Sequence, residues 1–281
     1  MKRLLSSATG CLSLIALFLL TACQPKETTL LILQTSDTHS CVEPDAKTNT
    51  AGYLRRATLI DSLRQNVDPD LLLFDCGDYS QGSLYYNLFH GETEIRLMNA
   101  MHYDAATIGN HEFDSGEENM KRLFTLADFP TLCVNYDVSG TCLADVVKPY
   151  TVIERKGLRI GVFGVCPPME GLVATKNYVG ITYLDPITEA NKVISILRKE
   201  ERCDVVLCLS HLGWQTEESI DDVRFIAGTS GIDLLLGGHT HSIFDEPAYY
   251  PNADGDGDSI PIMHTGKNAS RVGAITLHVT R

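Results

Sequence analysis

Five stretches of this 281-residue chain carry histidine, aspartate or asparagine at spacings that suit metal ligation. They are Asp37-Thr38-His39, Gly77-Asp78-Tyr79-Ser80-Gln81-Gly82, Gly109-Asn110-His111-Glu112-Phe113-Asp114, His211-Leu212-Gly213 and Gly237-Gly238-His239-Thr240-His241. Imidazoles and carboxylates together suit zinc, manganese, iron, cobalt or nickel better than calcium. The Asp-x-His and His-x-His spacings let two side chains of a turning loop reach one ion. About seven ligands from this set are too many for one four- to six-coordinate ion and enough for two that share a carboxylate. Two ions about 3.5–4 Å apart clamp the attacking and leaving oxygens of a phosphoryl displacement. They also acidify a bridging water. A lone Asp-x-His is more often a cap or a loop pair, and Gly-Asp-x-x-x-Gly alone is a common turn. GNHEFD and GGHTH are sharper, and the ordered conjunction carries the argument.

Each cluster follows an apolar run that reads as a strand: residues 30–34 (LLILQ), 71–74 (LLLF), 105–108, 205–209 and 233–236. A hairpin is expected over residues 152–165, turning at Lys156-Gly157, and strands at 260–263 and 274–279 close the chain. Helical periodicity covers residues 53–67, with Leu54, Ala57, Ile60, Leu63 and Val67 on one face, then 94–101 and 117–127. It returns at 187–200, with Ile187, Ala190, Ile194 and Leu197 on one side. Strands alternating with helices predict an α/β fold, and uninterrupted apolar runs predict sheets covered on both faces. Ligand sites in such folds form beyond the carboxyl ends of the strands, so the five loops should build one pocket.

Composition narrows the partners. Lys and Arg number 23 against 36 Asp and Glu, a formal net charge of −13, which excludes a general nucleic-acid binder. An anionic substrate therefore needs local positive charge, and metal ions are one source. At the amino terminus, Lys2 and Arg3 precede an apolar stretch at residues 11–20, the pattern of a secretory signal and too short for a comfortable membrane span. Leu20-Thr21-Ala22-Cys23 resembles the bacterial lipoprotein box, which implies cleavage after residue 22 and a lipid on Cys23. Gln24, rather than Asp, next to it favours an outer-membrane or cell-surface anchor facing the periplasm or the exterior. The expected organisation is a signal at 1–22, a tether at 23–29 and one domain at 30–281. Losing Lys2 and Arg3 takes the net charge from −13 to −15. Of nine cysteines, seven remain after removal of Cys11 and modification of Cys23, and spacing permits a Cys133–Cys142 bridge.

At these motifs the sequence resembles the calcineurin-like metallophosphoesterases, and within them the 5′-nucleotidase group. The likeness runs from about residue 30 to the C-terminus. It implies a four-layer α/β/β/α sandwich of two mixed sheets, with two divalent metals at the sheet edge. Carried over by motif, Asp37, His39 and His241 correspond to ligands of one metal and Asn110, His211 and His239 to those of the other. Asp78 corresponds to the carboxylate between them. His111 corresponds to a residue that contacts the phosphate, Asp114 to the carboxylate that orients it, and Asn110 would also touch a phosphate oxygen. The implied reaction is in-line attack of metal-bound hydroxide on phosphorus, the substrate a phosphate ester and most often a nucleotide.

The group's 5′-nucleotidases carry a second domain that binds the nucleoside, and its base-stacking aromatics and phosphate-binding arginines have no counterpart up to Arg281. Either a separate chain supplies them, or the chain acts broadly on phosphomonoesters or phosphodiesters. A rival reading is a non-catalytic metal-dependent binding lipoprotein, against which His111 and Asp114 count. Asn252, Asp254, Asp256 and Asp258 read as a solvated turn, since no Glu occupies the twelfth position of a calcium loop. His264 either edges the pocket or makes an ordinary polar contact, and Trp214 and Tyr79 either wall it or pack. His90, His102 and His278 lack partners at ligand spacing.

Overall fold

The computed structural model describes residues 27–217, 220–255 and 259–281. The signal, Cys23 and the start of the tether lie outside the described residues, as do Asp256 and Asp258 of the acidic turn. Two six-stranded sheets make the frame. In the first the order is β14 (Gly273–Thr280), β1 (Glu27–Thr35), β2 (Leu72–Asp75), β3 (Ala105–Thr107), β4 (Thr131–Leu132) and β6 (Val147–Lys148). All neighbours are parallel except β14, which runs antiparallel to β1. In the second the order is β12 (Ala248–Pro251), β13 (Ser259–His264), β11 (Leu234–Gly237), β10 (Val205–Ser210), β8 (Leu158–Val165) and β7 (Tyr150–Arg155). Its four central strands are parallel and its two edges antiparallel. A small ladder joins β5 (Tyr136–Asp137) to β9 (Thr182–Tyr183).

Side-chain alternation along the strands sorts the core into three layers. Leu33, Leu73 and Ala106 point outward from the first sheet. There they meet Tyr53 and Ile60 of α1 (Tyr53–Asn66), Ile95 and Met98 of α3 (Glu92–Ala100), and Met120 and Leu123 of α4 (Glu117–Leu126). Val206, Cys208 and Leu235 point outward from the second sheet toward Ala190, Ile194 and Leu197 of α5 (Pro186–Lys199) and Phe225 and Ile226 of α6 (Asp222–Ala227). Between them, Ile32, Leu72 and Phe74 of one sheet pack on Val162, Leu207, Leu209 and Leu236 of the other. The result is the expected α/β/β/α sandwich. Gln34 makes a polar link across the apolar middle layer: its Nε2 donates to the carbonyls of Gly237 at 2.9 Å and Met263 at 3.2 Å.

Local chemistry sets the element ends. Asp185 caps α5 by accepting the Thr188 N–H at 2.8 Å, with Pro186 at the first helical position. Ser83 caps the short α2 (Leu84–Phe89), and Asp221 caps α6 through the Arg224 N–H at 2.8 Å. The hairpin turns at Lys156 and Gly157, whose φ values of 51° and 78° match the twist of its strands.

The structure corrects part of one expectation and decides one point that spacing left open. The buried face of α1 is Tyr53, Arg56 and Ile60, whereas Leu54 is 49% exposed and Val67, beyond the helix end, 66% exposed. Ala57, Ile60 and Leu63 of the expected face do pack on the core, and Arg56 joins them on the inward side, donating from Nη1 to Thr38 Oγ1 at 2.8 Å. Cys133 and Cys142 are not bridged, and all seven described cysteines are free thiols. Most are buried, where a thiol packs as a small hydrophobe. Leu207→Ala, between the sheets at 0% exposure, should cost about 2–5 kcal/mol. Leu88→Ala, at 70% exposure, should stay within about 0.5 kcal/mol. Urea unfolding of the two variants measures the contrast.

Candidate metal centre

Parallel strands deliver their carboxyl ends to one rim, and the five clusters occupy it. Beyond β1, the Asp37 N–H donates to the Gly77 carbonyl at 2.9 Å and the His39 N–H to the Asp78 carbonyl at 3.0 Å, zipping the first loop onto the second. From the other sheet, the Gly238 N–H donates to the Ser210 carbonyl at 2.9 Å. The His239 N–H reaches both Asp37 carboxylate oxygens at 3.0 and 3.1 Å. Asp37, His39, Asp78, His239 and His241 all hold positive φ, between 46° and 71°. A left-handed backbone is uncommon for residues other than glycine, and such strain gathers where surrounding structure over-determines a functional geometry.

The side chains converge accordingly. His39 Nε2 and His241 Nε2 lie 3.1 Å apart, and His241 Nε2 is 3.6 Å from Asp37 Oδ1. His211 Nε2 is 3.1 Å from Asp78 Oδ2 and 4.0 Å from Asp37 Oδ1. Two groups have ligand atoms close enough to share an ion: Asp37 with His39 and His241, and Asp78 with His211 and His239. A third, His39 with Asp78 and His111, joins them. Asn110 sits on the turn beyond β3 with its Oδ1 buried and unpartnered. His211 is oriented from behind, its Nδ1 held 2.6 Å from the Cys76 carbonyl. At the more exposed lip, His111 Nδ1 is 3.0 Å from Asp114 Oδ2.

The electrostatics suit a cation. Asp37 and Asp78 are 0% and 2% exposed, and their ion-pair partners among the described residues are imidazoles, not Lys or Arg. Burial pushes the Asp37 carboxyl up to about 7. Burial also raises Asp78, but the charge of His211 outweighs it and holds that carboxyl below its usual range. Burial lowers His39 to about 4 and His239 to about 3, and lowers His241 too, so these rings are neutral, the state in which an imidazole binds a metal. For His211, burial is overcome by Asp78, which raises it to about 10. Three neutral imidazoles, two buried carboxylates and an orphaned amide oxygen form a donor set that fits divalent metal, and His211 would join it by giving up its proton.

Some contributors are invisible in the motif spacing. Glu112 is buried and accepts from the N–H groups of Asp78 at 2.9 Å, Gly109 at 2.7 Å and Ser80 at 3.3 Å. It thereby clamps the second and third loops together. Its place directly after His111 is the one available signal. Gly109 is required there, since a Cβ would overlap Asp78 Oδ1. Of the ambiguous residues, Tyr79 is fully buried packing and Trp214 donates from Nε1 to the Tyr250 hydroxyl at 3.0 Å. His264 is buried against Asp222. Asp254 accepts from Ser230 Oγ and the Gly231 N–H, as a turn residue does.

Comparison with known proteins agrees with this geometry. Residues 30–242 match the calcineurin-like phosphoesterase family. A 5′-nucleotidase of Diplobatis ommata is 31% identical over 252 residues, covering 84% of this chain and 42% of its own length. Among solved structures, a 5′-nucleotidase precursor from Thermus thermophilus superposes with a TM-score of 0.79 at 26% identity, covering 89% of this chain and 51% of that one. The calcineurin-like phosphoesterase YfkN from Bacillus subtilis superposes with a TM-score of 0.74 at 26% identity, covering 90% and 86%. The chain thus spans less than half the length of the curated 5′-nucleotidase that it resembles. With the family's pattern matched over most of its length, the chain belongs to the calcineurin-like phosphoesterases.

Proposed function

We propose that this chain is a two-metal phosphoesterase that hydrolyses nucleotides. The observation behind the reading is the pair of adjoining His/Asp groups at one rim, backed by a buried Asn110 Oδ1 that lacks a partner. Asp37, His39 and His241 would hold one divalent ion and Asn110, His211 and His239 the other, with Asp78 shared. When bound, such ions supply positive charge against phosphoryl oxygens and acidify water. The metal is one of zinc, manganese, iron, cobalt or nickel. The 5′-nucleotidase names of its relatives support the nucleotide preference.

The chain's own residues do the rest. Asp114 fixes the His111 ring through Nδ1 and leaves Nε2 to donate to a phosphoryl oxygen. Burial disfavours a charge on His111, but the hydrogen bond to Asp114 and the charge of Asp78 outweigh it and raise its affinity for a proton. A ring that keeps its proton can stabilise charge building on the phosphate. Asp78 also accepts the His111 backbone N–H at 2.9 Å, so the phosphate-contacting turn and the shared carboxylate are one unit. Export with a lipid on Cys23 belongs to the same proposal; Cys23→Ala should move the protein from the membrane fraction to the soluble one.

Divalent metal should stabilise the fold by about 2.7 kcal/mol at a hundredfold excess over its dissociation constant, read as a rise in Tm that a chelator reverses. His111→Ala should retain both ions and lose about 10²–10⁴-fold in turnover. Asp78→Ala should lose metal. Metal analysis and phosphate release from nucleotides, nucleotide sugars and a generic aryl phosphate, measured on all three proteins, check these outcomes. Full turnover in either variant would overturn the assignment, and equal rates on every ester would replace nucleotide preference with broad specificity.

A further inference from the structure

Ser210, Asp222 and His264, at 0%, 0% and 1% exposure, form a buried polar chain that the proposed chemistry does not use. Ser210 Oγ donates to Asp222 Oδ1 and accepts the Leu212 N–H at 3.1 Å. The Asp222 N–H donates to the Gly213 carbonyl at 2.8 Å. The turn that carries His211 is therefore bonded to Asp222 at both ends. Asp222 Oδ2 also faces His264 Nε2 at 2.8 Å. His264 closes β13 in register with Gly237 of β11. At Gly237 a Cβ would overlap His264 Nε2 and lie 2.7 Å from Asp222 Oδ2, so this pair presses directly on the backbone two residues before His239. From the opposite side, Gln34 holds the Gly237 carbonyl.

The chain thus reaches the supports of His211 and His239, the two imidazoles of the Asp78 group. The backbone of the Asp37 and His39 loop is braced elsewhere, by Gly77, Asp78 and Asn268, and this loop meets the His239 segment only where the Asp37 carboxylate accepts the His239 N–H. We propose that Ser210, Asp222 and His264 are positioning residues that set the metal affinity of the Asp78–His211–His239 group more strongly than that of the Asp37–His39–His241 group, whose Asp37 and His39 hang from the other sheet. This rests on the two-ion reading above. A buried carboxylate–imidazole pair gains little net stability over an apolar pair of similar volume, whereas groups behind metal ligands commonly govern affinity. The geometry favours the second role, because each polar contact ends on a segment that bears a ligand.

The test strips metal from the full chain and titrates it with Mn²⁺ by calorimetry, counting bound ions independently. Wild type should take up two ions. Asp222→Asn cannot accept from both donors, since one end of its amide is itself a donor. It and His264→Ala should keep one ion at wild-type affinity and bind the other about 10–100-fold more weakly. His264→Gln, which restores an N–H toward Asp222, should recover much of the loss. Ser210→Ala removes only a hydroxyl and gives the same readout if a larger change prevents folding. Unchanged affinities, or equal weakening of both ions in variants with wild-type metal-free Tm, would overturn the inference alone. A wild-type chain that never binds a pair of ions would overturn the two-ion reading and this inference with it.

Discussion

Two carboxylates, Asp37 and Asp78, are buried together at the rim of two sheets with imidazoles and no Lys or Arg as their ion-pair partners among the described residues. Buried charge without compensation is expensive. Protons shared with His211 offer partial relief, and a divalent cation offers more. The backbone around the cluster bears the cost of holding these groups together. Left-handed residues cost about 1–3 kcal/mol each, and the strained loops persist because each is hydrogen-bonded to its neighbour. Glu112, gathering three N–H groups from two of those loops, shows how densely the polar network is satisfied.

The cluster also depends on the sandwich as a whole. Strands β1, β2 and β3 supply Asp37, His39, Asp78, Asn110 and His111, while β10 and β11 of the opposite sheet supply His211, His239 and His241. Neither sheet alone brings the two sets together. The apolar layer from Ile32 to Leu236 therefore sets distances within the site as well as stability. Interiors are close-packed and transmit small displacements, and Gln34, reaching from β1 to Gly237, ties the register of one sheet to the other.

Much of this was legible in the amino-acid order. Apolar runs mark strands buried on both faces, and a His or Asp directly past such a run lands on the rim by topology alone. Patterns failed where partners lie far apart in sequence. Glu112 serves backbone groups at 78, 80 and 109, and Asp222 meets His264 across 42 residues. The apolar stripe on α1 gave no hint that Arg56 would join its buried side, where Thr38 offers an acceptor. Strands of two residues such as β4, β6 and β9 carry no period to detect.

The pairing of β1 with β14 has a directional consequence. Glu27 stands opposite Thr280, and the ladder runs unbroken to Gln34 opposite Gly273. Both ends of the described chain therefore emerge at the pole away from the ion cluster. The nine residues of β1 separate the two poles by roughly 27 Å at about 3.4 Å per residue. Were the upstream segment held at a bilayer, as proposed, the pole bearing Glu27 and Thr280 would face it and the ion cluster would point away from it.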